Sequence, residues 1–326
     1  MPPTPPPVPP RLETYFQFRV NHRDDLGTFG SFRRIRVNLG GGDKQSAWFV
    51  QFLGKGGNRS NTDDKLYIQD AWVRRTLRNN ATLILGQVRP PFSRERITGD
   101  RQLFLPDRPT VVDAIMPNGG LGGSFARDIG ALWNHGPLSV GLFGGNGTLQ
   151  QKGYGSGPLV AVRWVEPPRR NGLSVGLAAT FREDRNFDAS RAFPGTKSLG
   201  YDHFTGDDVR LGLEAEWHSG RWQAVGEWLQ ADLRGTGHLK SSGGYLTLVE
   251  NIAPGWQALA RVEQFDPDRS VADKNDTHTL VFGVNCTPHR HPRDRWQFAY
   301  TIRHEAISPI KNDGFVLQWQ HWLGER

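Results

Sequence analysis

The feature that most restricts this chain is a two-residue alternation whose polar face is rich in arginine and glycine. "RRIRVNL" sets Ile35, Val37 and Leu39 against Arg34, Arg36 and Asn38. "GLSVGLAATFR" sets Leu173, Val175, Leu177, Ala179 and Phe181 against Ser174, Gly176, Thr180 and Arg182. "DVRLGLEAEWH" sets Val209, Leu211, Leu213, Ala215 and Trp217 against Arg210, Gly212, Glu214 and Glu216. "RWQFAYTIRH" sets Trp296, Phe298, Tyr300 and Ile302 against Gln297, Ala299, Thr301 and Arg303. A period of two is the pleat of a β-strand, and helical periodicity is weak throughout. About 16 such blocks, bounded by Gly, Pro, Asn and Asp, run from near 12–22 to near 313–323. An even count suits a closed antiparallel barrel, and about 16 strands leave an aqueous lumen rather than a packed interior. Trp217, Trp296 and Trp322 fall near the ends of apolar faces, where a water–lipid boundary favours them. The sequence therefore predicts an all-β chain: a transmembrane antiparallel β-barrel of about 16 strands.

Composition agrees. Only 37% of the 326 residues are hydrophobic, low for a soluble chain of this length but natural where one face of every strand meets water. No run of 18 apolar residues offers a transmembrane helix. Net charge is +7; only eight of the 40 Lys+Arg residues are lysine, leaving 32 arginines. Arginine's planar, permanent charge suits oxyanion partners, although a GC-rich genome would also enrich it. Cys286 stands alone, so neither a disulfide nor a cysteine metal site is expected. His289 and His291, two apart between prolines, are a weak metal signal. No cofactor motif is present. The opening "MPPTPPPVPP" has neither a basic start nor an apolar h-region; residues 1–11 read as a proline-rich leader and 12–326 as one barrel domain.

"GQVRPPFSRERITGDRQLFLPDRP" (86–109) leaves a strand and becomes irregular. It opens the longest break in the pattern, about 90–126, and a break that long is expected to be functional. Arg89, Arg94, Arg96, Arg101 and Arg108, with Arg127 at re-entry, meet Glu95, Asp100, Asp107 and Asp128. Either some of these arginines stay free and form an electropositive constriction, or they pair with the acids and fasten the loop to a wall. At least two are expected to stay free. On the strands, Arg34, Arg36, Arg163, Arg182, Arg210, Arg261 and Arg303 should face the lumen, because lipid exposure costs about 2–4 kcal/mol each at mid-bilayer.

Several stretches resemble the phosphate- and polyphosphate-selective porins of Gram-negative outer membranes, the porin O/P family. They are "LYIQDAWVRR" (66–75), "LILGQVRPPFSRERITGDRQLFLPDRP" (83–109), "ARDIGALW" (126–133), "GEWLQADLRG" (226–235), "WQALARVEQFDPDRS" (256–270) and "DTHTLVFGVNCTP" (276–288). The resemblance spans about residues 12–323. It implies an outer-membrane homotrimer with an inward-folded loop, passing small anions such as phosphate or other oxyanions by passive diffusion. Three other readings compete. A barrel sheath around a partner such as a cytochrome would need a haem protein, since this chain lacks a haem motif. A barrel enzyme would need a serine-type or acidic dyad on the rim. A nucleic-acid-binding protein would mix basic and aromatic residues on one patch, whereas here they oppose each other across the strands.

Overall fold

The computed structural model describes residues 8–56, 65–117, 126–144, 157–193, 196–272, 275–289 and 292–324. Among them sixteen strands close into one barrel, each antiparallel to its sequence neighbours, with the last strand paired to the first. The first eight are β1 Val8–Arg23, β2 Gly27–Gly42, β3 Ser46–Gly56, β4 Lys65–Thr76, β5 Thr82–Val88, β6 Asp128–His135, β7 Leu138–Phe143 and β8 Leu159–Val165. The second eight are β9 Leu173–Phe187, β10 Phe204–Ser219, β11 Trp222–Gly235, β12 His238–Ala253, β13 Trp256–Asp266, β14 Thr277–Cys286, β15 Asp294–Glu305 and β16 Gly314–Leu323. Every predicted block falls on one of these strands. The proline-rich leader lies partly outside the described residues: 1–7 are not described, and the last four of its expected residues, 8–11, belong to β1.

Alternation sorts the two faces as charge and solvation require. Leu177, Phe181, Leu211, Leu213, Phe282 and Phe298 are exposed on the outside, where a bilayer replaces water as solvent. Arg34, Arg36, Arg182, Arg210 and Arg261 are buried on the inside. A bulge between β1 and β2 modifies the rule: Gln17 pairs with Arg34, but Phe18 pairs with Phe32. The extra residue, Arg33, sends a second guanidinium inward beside Arg34, where its Nε is buried.

The two mouths differ. One carries brief connections such as 136–137, 220–221 and 254–255; the other carries most of the long ones, including 188–203 and 267–276. Ten of the eleven tryptophans lie within four residues of a strand end at the short-turn mouth, all but Trp228. Trp164, Trp256 and Trp296 are exposed there, as a belt at a membrane boundary should be. Trp322 departs from expectation. It shares the inward face of β16 with the buried Gln318 and Gln320, and the Arg101 guanidinium lies 5.6 Å from its ring centroid.

Candidate functional site

The segment between β5 and β6 is not structureless. It contains two short helices, α1 (Arg94–Ile97) and α2 (Thr110–Ile115), and it packs against the barrel's inner wall. Residues 118–125, the end of the expected loop, lie outside the described residues. Apolar loop side chains fill gaps left by inward glycines. Phe92 sits over Gly212, Val111 over Gly243 and Leu105 over Gly283; a Cβ on Gly283 would lie 2.8 Å from Leu105 Cδ2. Those glycines appeared in the sequence only as gaps in the polar face; their role is to admit the loop.

Polar anchors complete the docking. Glu227 accepts from Ser93 Oγ at 3.1 Å, from the backbone N–H groups of Arg94 at 2.9 Å and Glu95 at 2.7 Å, and from Tyr245 OH at 2.7 Å. It therefore satisfies donors that a four-residue helix leaves open. Glu263 accepts from Thr110 N at 2.8 Å, at the start of α2. Arg210 donates to the carbonyls of Ile115 at 2.9 Å and Met116 at 2.7 Å, at the end of α2, while Asp208 grips its other nitrogens. Arg261 donates to Asp107 O at 2.9 Å and pairs with Glu263 at 2.7 Å.

Every loop arginine singled out in the sequence has a protein partner. Arg94 binds Glu216 at 2.9 Å, Arg96 binds Asp113 at 2.9 Å, Arg101 binds Glu13, Arg108 binds Asp100 at 2.6 Å, and Arg127 binds Asp70 at 3.0 Å. Arg89 donates instead to the carbonyls of Arg96, Ile97 and Thr98, at 2.8–3.0 Å. The expectation of at least two free loop arginines therefore fails: the loop's guanidiniums also fasten it. Of the strand arginines, Arg163 pairs with Glu214 at 2.5 Å and Arg182 with Asp184 at 2.6 Å. Arg303, half-buried, donates to Asn312 O at 2.8 Å.

Pairing does not neutralise the centre. Asp100 alone receives three guanidiniums: Arg34 at 3.0 Å, Arg108 at 2.6 Å, and Arg36. Burial pushes the Asp100 carboxyl up, but the charges of Arg34, Arg36 and Arg108 outweigh it and hold it well below the usual carboxylate range. Asp107, beside Arg19 at 2.8 Å and near Arg33, is likewise held low against its burial. With Arg89, Arg96 and Arg127 close by, eight guanidiniums (Arg19, Arg33, Arg34, Arg36, Arg89, Arg96, Arg108 and Arg127) face five carboxylates (Asp70, Glu95, Asp100, Asp107 and Asp113). Burial pushes Arg96 down to about 9, and Arg89 falls well below its ordinary value through burial and its neighbour Arg127. Of the eight, the sequence pointed to the loop arginines and, as a separate class, to Arg34 and Arg36; Arg33, which only the bulge turns inward, and Arg19 gave no such signal.

Comparison with known proteins gives the context. The model of the family "Phosphate-selective porin O and P" matches residues 14–304. No curated protein sequence matches the chain. Among solved structures, a loop-deletion mutant of OmpT, an outer membrane protein of Vibrio cholerae, superposes with a TM-score of 0.69 at 11% identity, covering 97% of this chain and 99% of that one. The anion-selective porin from Comamonas acidovorans gives 0.67 at 12% identity, covering 97% and 100%. The outer membrane channel DcaP of Acinetobacter baumannii gives 0.63 at 11% identity, covering 97% of each. At such identities the likeness is one of fold. The family match spans most of the barrel and coincides with the motifs that suggested it, so this chain belongs to the phosphate-selective porin O and P family and is an outer-membrane β-barrel channel protein.

Proposed function

We propose that the protein is a homotrimeric porin passing small anions, phosphate and other oxyanions among them, through a constriction made by the loop at about 90–126 within a single barrel domain. The observation that carries this reading is the surplus of guanidinium charge around Asp100, Asp107 and Asp113. A low-dielectric wall focuses such a field into the remaining passage and raises anion concentration there. Held by carboxylates and carbonyls, the guanidiniums are fixed in place yet not satisfied in charge. That combination suits weak binding followed by release. The Comamonas neighbour is described as anion-selective and a Vibrio OmpT structure as a trimer, which supports both halves of the proposal by analogy.

The sheath reading is disfavoured because loop side chains already occupy lumen that an enclosed partner would need. The test is phosphate titration of chloride current through single channels in a planar bilayer. Millimolar phosphate should reduce the chloride current reversibly. Chloride current indifferent to phosphate would sink the oxyanion part of the proposal.

A further inference from the structure

We propose that the short-turn mouth holds a second, distinct subsite, one for hydroxylated carboxylates such as sugar acids; it rests on the anion-channel reading but not on the cluster around Asp100. A cavity of about 820 Å³ opens there between the loop and the β12–β16 wall, within the size range of small-molecule sites. Asn251, Gln257 and Asn285 of its wall belong to an unusual row. Asn251, Gln257, Asn285, Gln297 and Gln318 are successive cross-strand partners on β12 to β16, and Gln318 faces Arg19 of β1. Their amides form one directional chain. Arg19 donates to Gln318 at 2.9 Å, Gln318 to Gln297 at 2.9 Å, Gln297 to Asn285 at 3.3 Å, Asn285 to Gln257 at 3.3 Å, and Gln257 to Asn251 at 3.0 Å.

An amide nitrogen has two hydrogens, and the chain uses one of each. The second hydrogens of Gln297 and Asn285 go to loop carbonyls, including Phe104 O at 3.1 and 2.8 Å. Among the described residues, Gln257 has no second acceptor, and it lines the cavity. Arg295 lines it too. Among the described residues, its one hydrogen bond is to Arg101 O at 3.0 Å, and it forms no ion pair. Trp322 adds an aromatic wall, and Glu13 is already engaged by Arg101 and Asn38.

One unpaired guanidinium, a spare amide donor and an aromatic ring match a particular chemistry. A tetrahedral dianion needs several converging charges, which this mouth lacks. A monoanionic carboxylate with a hydroxylated body takes all three: its carboxylate meets the fork of Arg295, a hydroxyl accepts from Gln257, and its C–H face lies against Trp322.

The experiment compares gluconate with acetate as blockers of chloride current in planar bilayers, added to both sides, for wild type, Arg295→Gln, Arg295→Lys and Gln257→Ala. Gluconate should block at concentrations at least about tenfold below acetate in wild type. Arg295→Gln should raise the half-blocking concentration of gluconate by about tenfold, since hydrogen bonds to charged groups are the stronger kind. Arg295→Lys should recover part of the loss, and Gln257→Ala should weaken gluconate about threefold while leaving acetate unchanged. Gluconate no better than acetate in wild type, or block indifferent to both side chains, overturns the subsite. The wild-type reversal potential, read in the same bilayers, separates the two readings. Anion preference without gluconate block removes only the subsite, whereas cation preference removes the anion channel itself.

Discussion

Replacing Asp100 by asparagine keeps the shape of the side chain and removes its charge. Asp100 is 4% exposed and is the shared partner of Arg34 at 3.0 Å, Arg108 at 2.6 Å, and Arg36. Breaking a buried pair by removing one member costs about 3–5 kcal/mol, because it leaves uncompensated charge behind. Two consequences compete. If the loop stays docked, held by Glu227, Glu263 and Arg210, the passage gains one unit of positive field. For an ion about 8 Å away in an effective dielectric near 20, that is about 2 kcal/mol before screening. One Debye length of physiological salt cuts it to about 0.8 kcal/mol, or about fourfold in anion occupancy. The reversal potential in a KCl gradient should then move toward the chloride limit at unchanged conductance. If the loop detaches, conductance should rise and selectivity fall. Both outcomes make Asp100 the keystone of a charged constriction. Wild-type conductance together with a wild-type reversal potential in the variant would mean that Asp100 neither holds the loop nor sets the field.

Other consequences follow from the same contacts. Glu227→Ala strips acceptors from Ser93, Arg94, Glu95 and Tyr245; at about 1.5–3 kcal/mol per charged hydrogen bond lost, amide hydrogen exchange at Arg94 and Glu95 should accelerate at least about tenfold. Gly283→Val drives side-chain atoms into Leu105; overpacking should cost about 1–3 kcal/mol and raise proteolysis of the 101–108 stretch, while Gly54→Ala, where a Cβ meets only ordinary contacts, should not. Asp100 and Asp107, both held below the ordinary carboxylate range, stabilise docking at every pH above the unfolded-state pKa of about 3.9. That share of the docking should therefore be unchanged from pH 7 to about pH 4 and be lost progressively below it, so conductance should turn noisy in acid below about pH 4.

The strands were legible because lipid and water impose opposite demands on successive residues. Arg182 and Arg210 could be assigned inward by the cost of the alternative, and the structure buries both. Alternation failed where the backbone broke it: Arg33 directly precedes the inward Arg34 and still points inward, because a bulge resets the register. It also failed where only geometry decides. Nothing local in "SRERITGDRQ" says that Asp100 will meet Arg34 and Arg36 of β2, or that Glu227, more than 130 residues away, will cap α1. The amide row was equally hidden. Gln257, Asn285 and Gln297 become a line only once the registers of β13, β14 and β15 are known. The arginine content pointed to the right chemistry, but in most loop positions the charge that counts is also a fastening.

Whether surplus guanidinium charge in the loop-filled lumen selects anions is read most directly from the zero-current potential of single wild-type channels in a KCl gradient, at low and then high ionic strength. The potential should have the sign set by chloride and shrink toward zero as molar salt shortens the Debye length to about 3 Å. A potential of the sign set by potassium would contradict that selection, and so would an anion preference that salt leaves untouched.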